Sequence, residues 1–267
     1  MNDDLRRTNK TMVSQRIPHE YLQSGIGAQR ILADALAITT RCSRRASQTL
    51  ERDAQVVTSD ERASRDGSNT LMELAIMQYA KANGFWYDNP VAAMNARYGT
   101  DMCVGEGQES IVWADVERGV VVKAKNTTMY ETLEEFFESV VLNNWLFEDC
   151  RQTIFGFGYD AQGMFRTLLE TPYIEKTDFR PMTPMEKNDY LALFGFSPLS
   201  RRSYSNDWYE VKDTHNQNMV IASDGTVAVI DAVIKWPLGE HYRERTSQEM
   251  AIDEQNEAFL DGMFGYI

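Results

Sequence analysis

The strongest hydrophobic pattern in the chain runs over residues 130–147 and reads YETLEEFFESVVLNNWLF. Apolar side chains recur there close to the 3.6-residue period of an α-helix and would share one face, namely Leu133, Phe136, Phe137, Val140 and Val141. Just before it, IVWADVERGVVVKAKN contains two runs rich in β-branched residues, separated at residues 117–119. The pattern therefore predicts a β-hairpin followed by a long amphipathic helix.

The same alternation continues along the chain. MFRTLLETPYI predicts a strand, and TPMEKNDYLALFG predicts a helix with Thr183 as N-cap and Pro184 at its first position. DWYEVKD predicts a short strand, and VIASDGTVAVI predicts a hairpin that turns at Asp224 and Gly225. Strands, helix, strands, helix and strands in this order predict an α+β fold in two lobes, residues 67–175 and 176–267.

Residues 1–66 differ from the rest of the chain in composition, since they are rich in Arg, Ser, Ala and Gln. They predict an N-terminal helical extension, with a helix over about residues 28–50 and a polar, flexible end. A second helix is predicted in TLMELAIMQYAKANG, which begins at Thr70 and stops at Gly84.

Composition narrows the class of partner. The formal net charge of -13 argues against a nucleic acid held by a broad phosphate-binding surface. No apolar run approaches the roughly 18 to 20 residues that span a bilayer, and the start lacks a secretory apolar core, which predicts a cytoplasmic protein with no membrane partner. Three widely spaced cysteines indicate neither a disulfide framework nor a zinc site.

A glycine-containing stretch, VGEGQESIVW, precedes the predicted hairpin. Gly105, Gly107, Ser110 and Val112 fit the spacing GxGxx(G/S)xV. Glycines at such positions let the backbone turn tightly and approach an anion, so that amide N–H groups face phosphate oxygens. A β-turn that contains glycine gives the same pattern, and both interpretations stay open.

Two lysines follow on the second strand of the hairpin. Lys123 comes 18 residues after Gly105, where an ammonium among valines needs an anionic partner or access to solvent. Lys125 points the same way because strand side chains alternate with a period of two. The spacing from the glycines favours Lys123.

The next helix offers three carboxylates that could pair with this lysine, Glu134, Glu135 and Glu138. Glu138 is followed at helical spacing by apolar residues, namely Val141, Leu142, Trp145 and Leu146, which would aim it along a packed face. A solvated carboxylate is the alternative for each of the three. We favour Glu138.

Polar residues interrupt the Val- and Ile-rich sequence near residue 213. Asp213 and Asn218 stand five residues apart, and Asp231 follows 13 residues after Asn218. One carboxylate that orients a hydroxyl, with an asparagine and a second carboxylate that bind Mg²⁺, is the set that phosphoryl transfer requires. His215 lies between them, either in the site or as a hydrogen-bonded support.

Taken in chain order, GEGQES, VVVK, the Glu-bearing helix, LLETPYI, KDTHNQN and VIDA resemble the successive motifs of the protein-kinase-like fold. The sequence DTHNQN, with His215 two residues after Asp213, resembles the DxHxxN loop of aminoglycoside phosphotransferases. The runs TLEEFFESVVLNNWLF and DTHNQNMVIASDGTVAVIDAVIKW resemble the kinase domain of polyvalent proteins from phages and conjugative elements, over about residues 69–238.

The resemblance implies a bilobal protein-kinase-like fold with a reduced C-lobe, and ATP with Mg²⁺ as cofactors. Lys123, oriented by Glu138, would bind the α- and β-phosphates, and residues 170–173 would contact adenine as a hinge. Asn218 and Asp231 would hold Mg²⁺. Asp213 would act on the acceptor hydroxyl, and His215 would contact the γ-phosphate or brace the loop.

Departures from the kinase pattern leave the acceptor open. Ala232 and Val233 replace Phe-Gly after Asp231, and 36 residues follow it, too few for a long activation loop and a peptide platform. The expectation is a phosphotransferase with a protein or small molecule as acceptor. A nucleotide-binding pseudokinase that serves as an interaction module, or a nucleotidyl transferase on the same fold, are the alternatives.

Overall fold

The computed structural model describes residues 27–53, 61–99, 103–106, 109–127, 130–175, 177–206 and 209–235. Helices and strands are mixed along this part of the chain, and the predicted α+β class is confirmed. Two compact units form: the described residues of His19–Asn144 and Arg151–Tyr173 make the larger unit, and those of Trp145–Cys150 and Ile174–Ile267 the smaller one.

The helices are α1 (Gly27–Asp53), α2 (Glu61–Asn83), α3 (Pro90–Tyr98), α4 (Leu133–Leu146) and α5 (Pro184–Ala192). The strands of the larger unit are β1 (Trp86–Tyr87), β2 (Cys103–Glu106), β3 (Ser110–Asp115), β4 (Val120–Lys125), β5 (Thr153–Tyr159) and β6 (Phe165–Pro172). The strands of the smaller unit are β7 (Phe179–Pro181), β8 (Ser197–Pro198), β9 (Tyr204–Ser205), β10 (Glu210–Lys212), β11 (Met219–Ala222), β12 (Val227–Val229) and β13 (Val233–Lys235). None of the helices in these described ranges is long and apolar enough to cross a membrane.

A six-stranded sheet in the order β1-β5-β6-β4-β3-β2 forms the centre of the larger unit. β1 pairs parallel to β5, and every other neighbouring pair is antiparallel. The predicted hairpin is confirmed as β3 and β4, joined by a turn in which Gly119 has φ +66°. Residues opposite each other in antiparallel strands share a face, so Lys123 lies on the same face as Val112 and Leu169.

One face of this sheet packs against α3. Its buried cluster consists of Met94, Trp113, Val122, Ala124 and Leu168. The indole of Trp113 is fully buried and donates to Asn95 Oδ1 at 3.0 Å, so its polar edge is satisfied within the core. Replacing such a buried aromatic side chain by alanine typically costs about 3 to 5 kcal/mol. This cluster fixes the positions of β3, β4 and β6.

The opposite face carries α4, whose predicted apolar face is confirmed by burial. Phe137 of α4 meets Phe157 of β5 edge to face, with ring centroids 6.1 Å apart. Phe157 pairs with Thr167, and Thr167 pairs with Lys125, so all three side chains lie on this face. α4 therefore packs on the side of the sheet that carries the two lysines of β4.

Helices α1 and α2 belong to the same unit. Their buried residues include Ile31, Ala35, Met72 and Ile76. Tyr79 of α2 donates its hydroxyl proton to Asp34 of α1 at 2.8 Å, and Tyr159 of β5 donates to Glu73 of α2 at 3.1 Å. The predicted helix of the extension is confirmed as α1.

The start of α2 corrects one expectation. We expected a flexible polar end to the extension and a helix from Thr70, but α2 begins at Glu61. Residues 61–69, ERASRDGSN, contain Glu, Arg and Ala, which favour helix. Adding residues to an existing helix costs far less than nucleating a new one, so the packed part of α2 continues toward its N-terminus. The predicted domain boundary at residue 66 falls inside this helix.

The smaller unit contains a four-stranded sheet in the order β13-β10-β9-β8 and a three-stranded sheet in the order β12-β11-β7. The predicted hairpin is confirmed as β11 and β12, with Gly225 at φ +87° in its turn. Thr183 caps α5 as predicted: its hydroxyl accepts from the Glu186 N–H, and the Glu186 carboxylate accepts from the Thr183 N–H, forming a capping box.

Candidate functional site

The segment DTHNQN connects two strands of the smaller unit, with β10 before it and β11 after it. Residues 213–218 are called the 213–218 loop from here on. Asp213 adopts φ +57°, and it is the only non-glycine residue of the described ranges with a positive φ. The left-handed conformation costs an L-residue on the order of 1 kcal/mol or more, with Asp among the few that tolerate it. Neighbouring contacts must therefore hold Asp213 in place.

Asn218 provides one set of these contacts. Its side-chain nitrogen donates to the Asp213 backbone oxygen at 2.9 Å and to Asp213 Oδ2 at 3.0 Å. The same nitrogen lies 3.5 Å from the backbone oxygen of Asp231. Asn218 is 8% exposed, so these hydrogen bonds form away from bulk water. One buried amide thus joins both ends of the predicted constellation.

The β11–β12 hairpin brings Asp231 back to this loop. Met219 pairs with Val229, and the Ile230 N–H donates to the Asn218 backbone oxygen at 2.8 Å. Asp231 follows directly, at the start of the connection to β13. The sequence predicted that Asp213, Asn218 and Asp231 belong together, and the structure brings these three residues to one place.

His215 also belongs to this group. Its Nδ1 accepts from the Gln217 N–H at 3.1 Å, and its Nε2 lies 3.5 Å from Asp213 Oδ1. The neutral imidazole therefore carries its proton on Nε2, facing Asp213. Burial lowers the pKa of His215, opposed by the Asp213 carboxylate and reinforced by the positive charges of Arg202 and Lys187. His215 is accordingly neutral at pH 7.

Lys187 is a residue of this site that the sequence interpretation missed. It lies on α5 and is 4% exposed. Its Nζ donates to the Thr214 backbone oxygen at 2.8 Å and to Asn216 Oδ1 at 3.0 Å. A signal was present in the helical spacing, since Lys187 precedes the fully buried Leu191 by one turn and so lies on the inward face of α5.

In the larger unit, Lys123 and Lys125 are both buried, at 5% and 4% exposure. Lys123 stands between Val112 and Leu169 in the sheet, and Lys125 between Ser110 and Thr167. Their predicted common direction is confirmed by the register. Burial does not separate the two, and a buried ammonium on either position requires an anionic or hydrogen-bonding partner.

The three carboxylates of α4 are distinguished by their contacts. Glu134 accepts a hydrogen bond from the hydroxyl of Ser43 on α1. Glu135 accepts from the Glu131 N–H at 2.6 Å, at the start of the helix. Glu138 lies one turn further along and is partly buried. Glu134 and Glu135 thus have partners at the start of α4, and the pairing of Glu138 with a β4 lysine stays a prediction.

The start of α4 is also fastened to α2. Asn69 of α2 accepts from the Leu133 N–H at 3.1 Å, and its side-chain nitrogen donates to the Glu131 backbone oxygen at 3.2 Å. One amide thus satisfies two backbone groups where the helix begins. The helices that precede the sheet therefore set the position of the Glu-bearing helix.

Gly105 lies in β2 and is exposed, at an irregularity in the register with β3. Its φ is not positive, and a Cβ added there would meet nothing within 4 Å. Neither backbone conformation nor contacts with the described residues require glycine at this position. Ser110 and Val112 lie on β3, and Gly107 falls outside the described residues.

The predicted hinge, residues 170–173, forms the end of β6 and the residue after it. Glu170 accepts from Arg118 at 3.1 Å, and the Tyr173 N–H donates to the Gly119 backbone oxygen at 2.9 Å. Pro172 has no N–H. The Tyr173 N–H is already engaged, so a nucleobase that contacts Pro172 or Tyr173 would have to donate a hydrogen bond to a backbone carbonyl oxygen.

Residues 71–237 match the model of a family described as the serine/threonine/tyrosine kinases found in polyvalent proteins. The matched segment contains every candidate site residue named above, from Gly105 to Asp231, and excludes α1. Comparison with curated proteins and with solved structures gave no match.

Proposed function

The chain belongs to the family of serine/threonine/tyrosine kinases found in polyvalent proteins, and on that premise we propose that it is an ATP- and Mg²⁺-dependent phosphotransferase. The acceptor is a hydroxyl group of a protein or a small molecule. The observation that supports this most strongly is the left-handed Asp213, hydrogen-bonded to Asn218, with Asp231 joined to the same amide.

Asp213 acts on the acceptor. Asn218 holds its Oδ2 at 3.0 Å, and the Nε2–H of neutral His215 lies 3.5 Å from its Oδ1. The carboxylate receives the hydroxyl proton as the acceptor oxygen bonds to the γ-phosphorus. The bond between that phosphorus and the bridging oxygen breaks, and ADP leaves with the bonding electron pair.

Asn218 and Asp231 fit a Mg²⁺ ion by the chemistry of their donor atoms. An amide oxygen and a carboxylate are the hard ligands that this ion prefers, and phosphate oxygens and water complete its coordination. The nitrogen of Asn218 is engaged by Asp213, so Asn218 ligates through its amide oxygen. When bound, Mg²⁺ neutralises charge on the transferring phosphate.

Within the larger unit, the residues proposed to bind ATP lie on β2, β3, β4, β6 and α4. Gly105 and Ser110, with Gly107 as a further candidate outside the described residues, are proposed to face the phosphates, and a Cβ at Gly105 would meet no atom of the described residues within 4 Å. Lys123 binds the α- and β-phosphates and is oriented by Glu138 of α4. Adenine donates its amino proton to a carbonyl oxygen of residues 170–173.

Incubation with ATP labelled in the γ-phosphate, in Mg²⁺ buffer, tests the proposal. With γ-labelled ATP, we expect label on the protein itself, on an added acceptor or in released phosphate. With ATP labelled in the α-phosphate, we expect no label on the protein or on the acceptor. Thermal stabilisation by Mg²⁺-ATP without turnover would instead identify a nucleotide-binding interaction module. Transfer of the α-label would identify a nucleotidyl transferase. Either of these results contradicts the proposal.

A further inference from the structure

We propose that Lys187 is a positioning residue of the phosphotransfer site: its buried ammonium holds the backbone and side chain of the 213–218 loop so that Asp213 faces the acceptor. This inference rests on the proposed function. Nothing in the family match assigns a role to α5, which carries Lys187.

The position of Lys187 is set by the first turn of α5. Its N–H donates to the Thr183 backbone oxygen at 3.0 Å, and Thr183 forms the capping box with Glu186. Arg180 of β7 adds two hydrogen bonds to the same Glu186 carboxylate, at 2.6 and 2.9 Å. These hydrogen bonds fix the first turn of α5, and with it the backbone of Lys187, as a positioning residue requires.

The ammonium of Lys187 acts on the residue next to Asp213. Thr214 uses both of its backbone groups: its N–H donates to the Arg202 backbone oxygen at 3.0 Å, and its oxygen accepts from Lys187 at 2.8 Å. The peptide planes on both sides of Thr214 are thereby held, including the one that begins at Asp213. These bonds offset the cost of the left-handed conformation of Asp213, at φ +57°.

Asn216 extends the hold to the outer part of the loop. Its Oδ1 accepts from Lys187 at 3.0 Å, although Asn216 itself is exposed. Asn218 holds Asp213 from the other end of the loop. A charged donor is suited to this task because hydrogen bonds from an ammonium are stronger than neutral ones. The loop is thus held between α5 and its own buried amide.

The test compares Lys187→Met, which removes both bonds at similar volume, with Lys187→Arg, which keeps the charge. Displacing a reacting group by about 1 Å can cost on the order of 10²-fold in rate. We expect Lys187→Met to lower kcat about 10- to 100-fold while KM for ATP stays within about threefold, and Lys187→Arg to restore part of kcat.

Hydrogen–deuterium exchange of the 213–218 loop provides a readout that does not depend on transfer. We expect faster exchange in this loop for Lys187→Met, with exchange of β5 and β6 unchanged. Asn216→Ala removes one partner at an exposed position and should raise exchange less. It keeps the experiment decisive if Lys187→Met fails to fold.

Lys212→Met is the matched control, since it removes a positive charge one residue before Asp213. The Lys212 ammonium lies 3.2 Å from Glu210, on the strand before the loop. We expect its kcat within about threefold of wild type. Unchanged loop exchange in both Lys187→Met and Asn216→Ala would overturn the inference, and so would an equal loss of kcat in the control. Faster loop exchange in a protein that transfers no phosphate would support Lys187 while contradicting the proposed function.

Discussion

The 213–218 loop and the glycine-containing strand β2 are held in different ways. In the loop, Asp213 is held directly by Asn218, five residues further along, and through Thr214 by Lys187 of α5. In β2, Gly105 lies exposed, and an added Cβ would meet nothing. Hydrogen bonds among the described residues therefore set the loop. No described residue requires glycine at position 105, so we expect any such requirement to come from a bound ligand. Substitutions in the loop and in β2 should therefore affect different properties of the protein.

Among the effects on ATP binding, the largest is expected at Asp231. Asp231→Asn removes a carboxylate from the proposed metal site, so Mg²⁺-dependent affinity for ATP should fall by at least about 10²-fold. Calorimetric titration of ATP with and without Mg²⁺ measures this loss. Asp224→Asn, in the exposed turn of the same hairpin, is the matched control and should bind as wild type does. Unchanged Mg²⁺-ATP affinity in Asp231→Asn would rule out the metal assignment.

The two lysines of β4 come next. Lys123→Met should lower kcat/KM for ATP about 10²-fold, because a cation bound to the phosphates is lost. Lys125→Met removes an equally buried ammonium one step along the same face and should change kcat/KM by about fivefold or less. Steady-state kinetics of both variants decide between them, and the reverse order of effects would assign the role to Lys125.

Much of the fold was predictable because local patterns agreed with it. The apolar spacing of α4, the Val-rich hairpin and the Thr183 capping box each depend on residues close in sequence. The predicted grouping of Asp213, Asn218 and Asp231 followed from motif order, and the short β11–β12 hairpin produces it.

Other features depend on distant contacts that a single sequence does not reveal. Helical spacing alone could place Lys187 on the inward face of α5, but it could not reveal the partners of the ammonium, which lie 27 and 29 residues away. The left-handed Asp213 is likewise set by neighbours in space. The early start of α2 was missed because ERASRD is mostly polar and has no repeating apolar positions that would indicate a helix.

A smaller effect should separate ligand approach from stability at Gly105. Gly105→Ala places a methyl group where no atom of the described residues lies within 4 Å, so the free energy of unfolding should stay within about 0.5 kcal/mol of wild type. KM for ATP should rise about three- to tenfold, since the backbone approaches the phosphates less closely.

Gly225→Ala gives the opposite result in the matched control. Gly225 has φ +87°, where an L side chain is strained, so about 1 kcal/mol of stability should be lost while KM for ATP is kept. Denaturant unfolding and steady-state kinetics of both variants provide the measurements. A Gly105→Ala protein with the KM of wild type would remove the phosphate-binding role of β2.

The smallest expected effect is the pH dependence at His215. Its pKa is lowered by burial, so the unfolded chain, with a pKa of about 6.5, takes up the proton more readily. Stability should therefore fall as the pH drops below about 6.5. Between pH 7.5 and 5.5, Tm of wild type should decrease about 2 °C more than Tm of His215→Asn. An equal or smaller decrease in wild type would contradict a neutral His215.

In the proposed reaction, Asp213 acts on the acceptor and not on ATP. The most direct measurement is transfer of the γ-phosphate by wild type and Asp213→Asn at saturating Mg²⁺-ATP, with ATP affinity measured in parallel. Asn tolerates the left-handed backbone but takes up no proton, so transfer should fall about 10²- to 10⁴-fold with ATP affinity within about twofold. Equal transfer by the two proteins would show that Asp213 does not act on the acceptor.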